Sequence, residues 1–200
     1  MAKASWLQVS PSSGSGNASV SVSSLSPHTG RNVRTTTLTW VAANVENVVR
    51  TVNQAGKPGY VDIAESAMAD KDGKRVTIAG ISNAKILKFS LGSGTLDVTL
   101  PPSYTANSVS TLNNKDITGD PGAYAEFPFS IAIDVPANET IEAKTRQIIV
   151  EDGEGHRDVC LLTSAAGDAY LTIAENAIEL DYLGNTVTVA VQSNTTWTVE

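Results

Sequence analysis

The feature that most constrains this chain is an internal repeat of about 110 residues. Tyr60-Val-Asp-Ile-Ala-Glu65 returns as Tyr170-Leu-Thr-Ile-Ala-Glu175, 110 positions later. Arg75-Val-Thr-Ile78 matches Thr186-Val-Thr-Val189, and Ser82-Asn83 matches Ser193-Asn194, both 111 apart. A second echo links the start to the middle: Leu38-Thr-Trp40 corresponds to Ile148-Ile-Val150, and Gln54-Ala-Gly56 to Ala165-Ala-Gly167. Periods of this size mean tandem domains rather than a solenoid of short units. The chain divides into the back half of one domain (1–57), a whole domain (58–167) and the front half of another (168–200). Neither half can bury its hydrophobic face alone.

Nearly every segment alternates apolar and polar residues with period two, and turn residues separate the segments. Ala18–Val22, Arg34–Trp40, Val76–Ile81, Ser130–Val135, Gln147–Val150 and Thr186–Val191 all read as strands. Asn-, Gly- and Ser-rich breaks such as Pro11–Asn17 and Glu151–Gly155 read as turns. Helix signals are weak: Asn44 to Val52 and Ser66 to Asp70 could carry a turn or two at most. The expected fold class is all-β, with antiparallel β-sandwiches in tandem.

Composition excludes some partners. A net charge of −7 argues against nucleic acid, whose phosphates call for clustered Lys and Arg. No apolar run is long enough to span a bilayer, and Met1–Leu7 lacks the apolar core of a secretory signal. Cys160, the lone cysteine, sits in Val159-Cys-Leu-Leu162 and reads as a small buried hydrophobe.

Three segments resemble the second half of a BACON domain: Trp6–Asn17, Arg34–Trp40 and Thr51–Gly56. The segment Val187–Val199, with its Ser-Asn-Thr-Thr-Trp-Thr-Val run, resembles the first half of the same domain. The resemblance is specific in these two end segments and degenerate in the middle repeat. It implies immunoglobulin-like sandwiches, a family of Bacteroidetes with a suspected carbohydrate-binding role that also occurs in virion proteins of crAss-like bacteriophages. In the family order, the strand that ends at Glu200 runs directly into the one that begins at Ser5-Trp6. Three arrangements fit: a fragment of a longer array, closure within one chain, or strand exchange between chains.

Few residues invite chemistry. Trp40, whose repeat partner is Val150, and Trp197, at the position of Ile86, are expected in the core, as is Trp6. His28 and His156 are expected as solvated loop residues, with no nucleophile or metal-ligand spacing around them. Asp70-Lys-Asp-Gly73 lacks the downstream ligands of a calcium loop and reads as a hairpin turn. Asp152-Gly153 reads as a tight turn joining two strands. No catalytic residue, cofactor or metal is expected.

One segment has no counterpart. Leu96–Pro101 aligns with Trp6–Pro11 at an offset of 90, whereas downstream the offset is 110 to 111. The middle repeat therefore carries about twenty extra residues at 103–125. Long loops on a rigid sandwich often carry function. The candidate partner-contact residues are Tyr104, Asn107, Asn113, Asn114, Lys115, Asp116, Asp120 and Tyr124.

The resemblance and the absence of a catalytic constellation give one leading expectation: a structural bacteriophage virion protein, a capsid auxiliary (decoration) or head-fibre component assembled in the host cytoplasm. Its partners would be other capsid or fibre proteins and further copies in a homo-oligomer or strand-exchanged assembly. The alternative is a weakly glycan-binding module of a secreted or cell-surface Bacteroidetes protein.

Overall fold

A computed structural model describes residues 3–200. Its middle is a two-sheet β-sandwich. One sheet has the order β10-β9-β11-β7-β5, formed by β5 (Val61–Ile63), β7 (Lys74–Ser82), β9 (Ser103–Ala106), β10 (Val109–Leu112) and β11 (Phe127–Val135). The facing sheet has the order β6-β13-β12-β8, formed by β6 (Ser66–Ala69), β8 (Leu87–Gly94), β12 (Lys144–Asp152) and β13 (Arg157–Ser164). The strand alternation explains the core. Along β11, Phe127, Phe129, Ile131, Ile133 and Val135 are buried, because successive side chains point to opposite faces. They meet Ile148 and Val150 of β12, and Cys160 and Leu162 of β13, in one cluster. Full burial of each large aliphatic side chain there is worth about 1.5–3 kcal/mol before ordering costs.

The first strand is split between the sheets. β5 pairs antiparallel with β7, then Ala64-Glu65 carries the chain across so that β6 pairs parallel with β13. That parallel ladder is the one departure from the antiparallel expectation within the sandwich. Ser66–Asp70, read above as a weak helix signal, is accordingly mostly strand, since the β13 edge offers its backbone ladder partners. The Asp70–Gly73 turn is not a hairpin either. Gly73 N–H donates to Asp70 O (3.0 Å) with φ +72°, and the turn passes the chain from β6 in one sheet to β7 in the other.

The flanking segments form three separate two-stranded ladders. β1 (Leu7–Ser10) pairs with β2 (Ser21–Ser24), β3 (Arg34–Trp40) with β4 (Val48–Gln54), and β14 (Leu171–Ile173) with β15 (Val191–Ser193). The weak helix signal at 44–52 also resolves as strand, because Val48–Gln54 finds β3 as its partner. Residues 186–190, expected as strand, form no ladder among the described residues; in the complete sandwich their counterparts lie against β11. Among the described residues, no ladder joins β14–β15 to β1–β4.

Candidate assembly surface

The echo of Ser-Asn in the sequence marks two copies of one junction. At the first, Tyr60 N–H donates to Asn83 Oδ1 (3.0 Å), Ser82 Oγ donates to Tyr60 O (2.7 Å), and Asn83 Nδ2 donates to Thr29 O (3.1 Å) and Pro58 O (3.2 Å). At the second, Tyr170 N–H donates to Asn194 Oδ1 (3.0 Å), Ser193 Oγ donates to Tyr170 O (2.8 Å), and Asn194 Nδ2 donates to Glu139 O and Asp168 O (both 2.8 Å). Thr29 and Glu139 are 110 apart, as are Pro58 and Asp168. One asparagine thus ties the start of a unit to the end of the unit before it. The backbone repeats as well: Lys57 N–H donates to Gly30 O (2.9 Å), and Gly167 N–H to Thr140 O (2.7 Å).

The two junctions lie at opposite ends of the sandwich. β7 and β11 run antiparallel with Ser82 opposite Phe127 and Lys74 opposite Val135. Asn83 follows Ser82 at one end, whereas Asn138, just past β11, holds Ala165 O at the other (2.9 Å). Nine residues of β7 at about 3.3 Å per residue separate the ends by roughly 26 Å.

The inserted segment is built into the fold. β9 and β10 form a hairpin with a two-residue loop, Asn107-Ser108, both at positive φ (46° and 65°), the geometry that matches strand twist. Tyr104 is only 3% exposed and packs on Phe89 with ring centroids 5.0 Å apart. It therefore offers no surface to a partner, which corrects the expectation for that residue. Its position on the inward face of β9 decides this. Asn113 is also committed: Phe89 N–H donates to its Oδ1 (2.8 Å), and its Nδ2 donates to Phe89 O (3.0 Å). Asp120 pairs with Arg31. A 3-10 turn, Pro121–Ala123, follows. Arg31 N–H donates to Gly122 O (2.9 Å) and Asn32 N–H to Ala123 O (2.8 Å), so the end of the insertion docks on the first junction. Gly122 is required there, since a Cβ would lie 1.9 Å from Asn83 O. Asn107, Asn114, Lys115 and Asp116 remain exposed, with Asp116 in an ion pair to Lys85 (2.7 Å). Tyr124 is 71% exposed.

The histidines divide. His28, expected in solvent, is buried, and its Nε2 lies 2.6 Å from Asn32 O, which accepts its hydrogen bond. Its counterpart Asn138 bonds Glu142 O in the same way (2.8 Å), so His28 acts as a turn clasp that a polar residue in a Pro/Asn-rich stretch does not announce. His156 is solvated, with Nδ1 2.7 Å from Asp152 Oδ2. Asp152 Oδ1 accepts from the backbone N–H groups of Glu154 (2.8 Å) and His156 (2.9 Å). Burial alone pushes the Asp152 carboxyl up, but these hydrogen bonds and the imidazole charge outweigh it and hold it below the ordinary carboxylate range. Asp152, Glu154 and His156 bring ligand-type atoms within 4.8 Å of one another, yet the Asp152 oxygens are already spent on the β12–β13 turn.

Several apolar residues of the flanking segments are exposed where the middle repeat buries their counterparts, although Leu38 stays buried. Trp40 and Trp197, expected in the core, are 41% and 48% exposed. Ile173 is 50% exposed, whereas its counterpart Ile63 is buried. Leu180, which precedes the Asp181 turn as buried Ala69 precedes the Asp70 turn, is exposed too. The turn that follows it is intact, with Gly184 N–H donating to Asp181 O (3.2 Å), as Gly73 does to Asp70. Local geometry has formed; the covering layer has not. Between β1, β2 and β3 this leaves an open groove of about 530 Å³ lined by Val9, Val20, Leu38 and Trp40. Trp6 is half-buried, with the Arg34 guanidinium 4.6 Å above its ring.

No family model matches the chain, and no curated protein matches it. Among solved structures, it is similar to an NMR structure of a protein from Bacteroides thetaiotaomicron, at 15% identity and a TM-score of 0.29, over 56% of this chain and 90% of that one.

Proposed function

We propose that this chain is a non-catalytic structural protein that assembles through β-sandwich units, and that it serves as a capsid auxiliary or head-fibre component of a bacteriophage particle. The observation that carries the assembly reading is the pair of half-exposed apolar faces on 3–57 and 168–200, built from positions the middle repeat buries. Contiguous apolar surface of this kind marks interaction sites. The bacteriophage setting rests on the resemblance of the end segments to BACON domains. A second reading, a carbohydrate-binding module of a secreted or surface protein, is favoured by one observation. Trp40 lines an open groove, and an aromatic face there could stack on a sugar ring. Mass spectrometry of purified particles, run beside a glycan array, separates the two. Stoichiometric recovery in particles with a blank array supports the virion reading; glycan binding abolished by Trp40→Ala, with no particle association, overturns it.

A further inference from the structure

We propose that the acidic segment 168–200 of one copy completes the basic segment 3–57 of a second copy, head to tail. In that completion residues 185–193 lie antiparallel against residues 16–24, which include β2, with Val189 opposite Val20 and Val187 opposite Val22. This rests on the assembly reading above and names its partner as another copy of the same chain.

The complete sandwich supplies the template. There β11 lies against β7 with Ile131 opposite Ile78 and Ile133 opposite Val76. Shifting both strands by 111, the offset that keeps their apolar positions in phase, replaces these two pairs with Val20–Val189 and Val22–Val187, so both stay aliphatic. The parallel ladder transfers as well. At the offset of 110 that relates Leu38 to Ile148 and Tyr60 to Tyr170, Leu161 opposite Ser66 and Leu162 opposite Ala67 become Thr51 opposite Asn176 and Val52 opposite Ala177. Arg50 stands where the complete sandwich buries Cys160, a costly place for an unpaired charge. In this register it comes next to Glu175.

Charge selects the same partner. Residues 3–57 carry five bases (Lys3, Arg31, Arg34, Arg50, Lys57) and a single acid, Glu46. Residues 168–200 carry five acids (Asp168, Glu175, Glu179, Asp181, Glu200) and no Lys or Arg. Two copies of the same segment would repel, while unlike segments attract, which disfavours a symmetric contact through either face.

Geometry favours a second molecule over self-closure. The two segments leave the sandwich at opposite ends, roughly 26 Å apart along β7, and each is pinned at its root by Asn83 or Asn194. A contact that joins one end of a molecule to the other end of the next is heterologous, and it propagates into open chains or closes into rings.

Cross-linking across the proposed ladder tests this. Ala132 opposite Thr77 transfers to Ser21 opposite Thr188, both exposed. Directly opposed residues of an antiparallel pair have Cα atoms about 4.5–5.5 Å apart, within disulfide range. The native Cys160 is buried, and burial with Asp158 nearby pushes its thiol up to about 11, so it adds no background. Full-length Ser21→Cys and Thr188→Cys chains, mixed and oxidised, should give a covalent heterodimer, and neither chain alone should cross-link. Sedimentation of the unaltered chain should show mass rising with concentration. An uncross-linked mixture, homodimers of Ser21→Cys alone, a doubly substituted chain that closes on itself when dilute, or a strictly monomeric parent each overturns the proposal. Particle association is read separately. A chain found in virions that fails this cross-link leaves the virion reading standing and removes the head-to-tail one.

Discussion

Val22 on β2 and Ile133 on β11 occupy the same place in two copies of one strand pattern, yet Ile133 is fully buried and Val22 is 40% exposed. The difference lies in what stands opposite. Ile133 faces Val76 across a nine-residue ladder, whereas Val22 has only Val9 beside it in a four-residue hairpin. Isolated hairpins of that size are marginal in water, so the flanking segments gain most of their stability from whatever covers them.

Ile133→Ala should therefore destabilise the dilute chain by about 2–5 kcal/mol, while Val22→Ala should change it by less than about 0.5 kcal/mol. Urea unfolding followed by circular dichroism measures both. At high protein concentration the Val22 substitution should begin to cost stability, through lost assembly. Equal losses in the dilute chain would show that β2 is already covered within one molecule.

Asn83→Ala removes a fully buried side chain and orphans the Tyr60 amide and the Thr29 and Pro58 carbonyls. Each orphaned buried group costs about 1–3 kcal/mol, so the melting temperature should drop by several degrees. Asn194→Ala breaks the same set of bonds at the exposed junction, where water can replace them, and should cost less. A larger loss at Asn194 would contradict burial as the cause.

Gly122→Ala forces a methyl group against Asn83 O. Overpacking of this kind costs about 1–3 kcal/mol. It should loosen the end of the insertion from residues 30–32, and limited proteolysis should then cut faster within 119–126. Unchanged cleavage would mean that the insertion holds its place without the junction.

Asp152 gives the β12–β13 turn a pH dependence. Its carboxyl is held low in the folded state, so the stabilisation is present above the ordinary carboxylate pKa and is lost as pH falls from about 4 through the lower folded value. Asp152→Asn should lower stability at pH 7 and flatten the loss on acidification. Thermal melts at pH 7 and pH 3 read both effects, and a variant whose acid limb matches the parent would place the titration elsewhere.

The sequence by itself determined three long strands of the middle unit, β7, β11 and β12, the phase of the repeat and the turn at Gly73. These depend on near neighbours: period-two alternation defines β11 and β12, and a positive φ selects Gly73 and Gly184. The Ser-Asn echo was legible as a pattern, though its function as a clasp was not. Tertiary structure alone decided which sheet each strand joins, because the pairing of β6 with β13 depends on residues almost a hundred positions apart. It also drew Tyr104 into the core and His28 into a turn, since side-chain burial is set by what packs above, not by the polarity of adjacent residues. Most of all it decided that some apolar positions equivalent in sequence, such as Ile133 and Val22 or Ile63 and Ile173, are buried in the middle unit and exposed in its flanks. Hydrophobic stabilisation requires a second surface, and the repeat pattern cannot say on which molecule that surface lies.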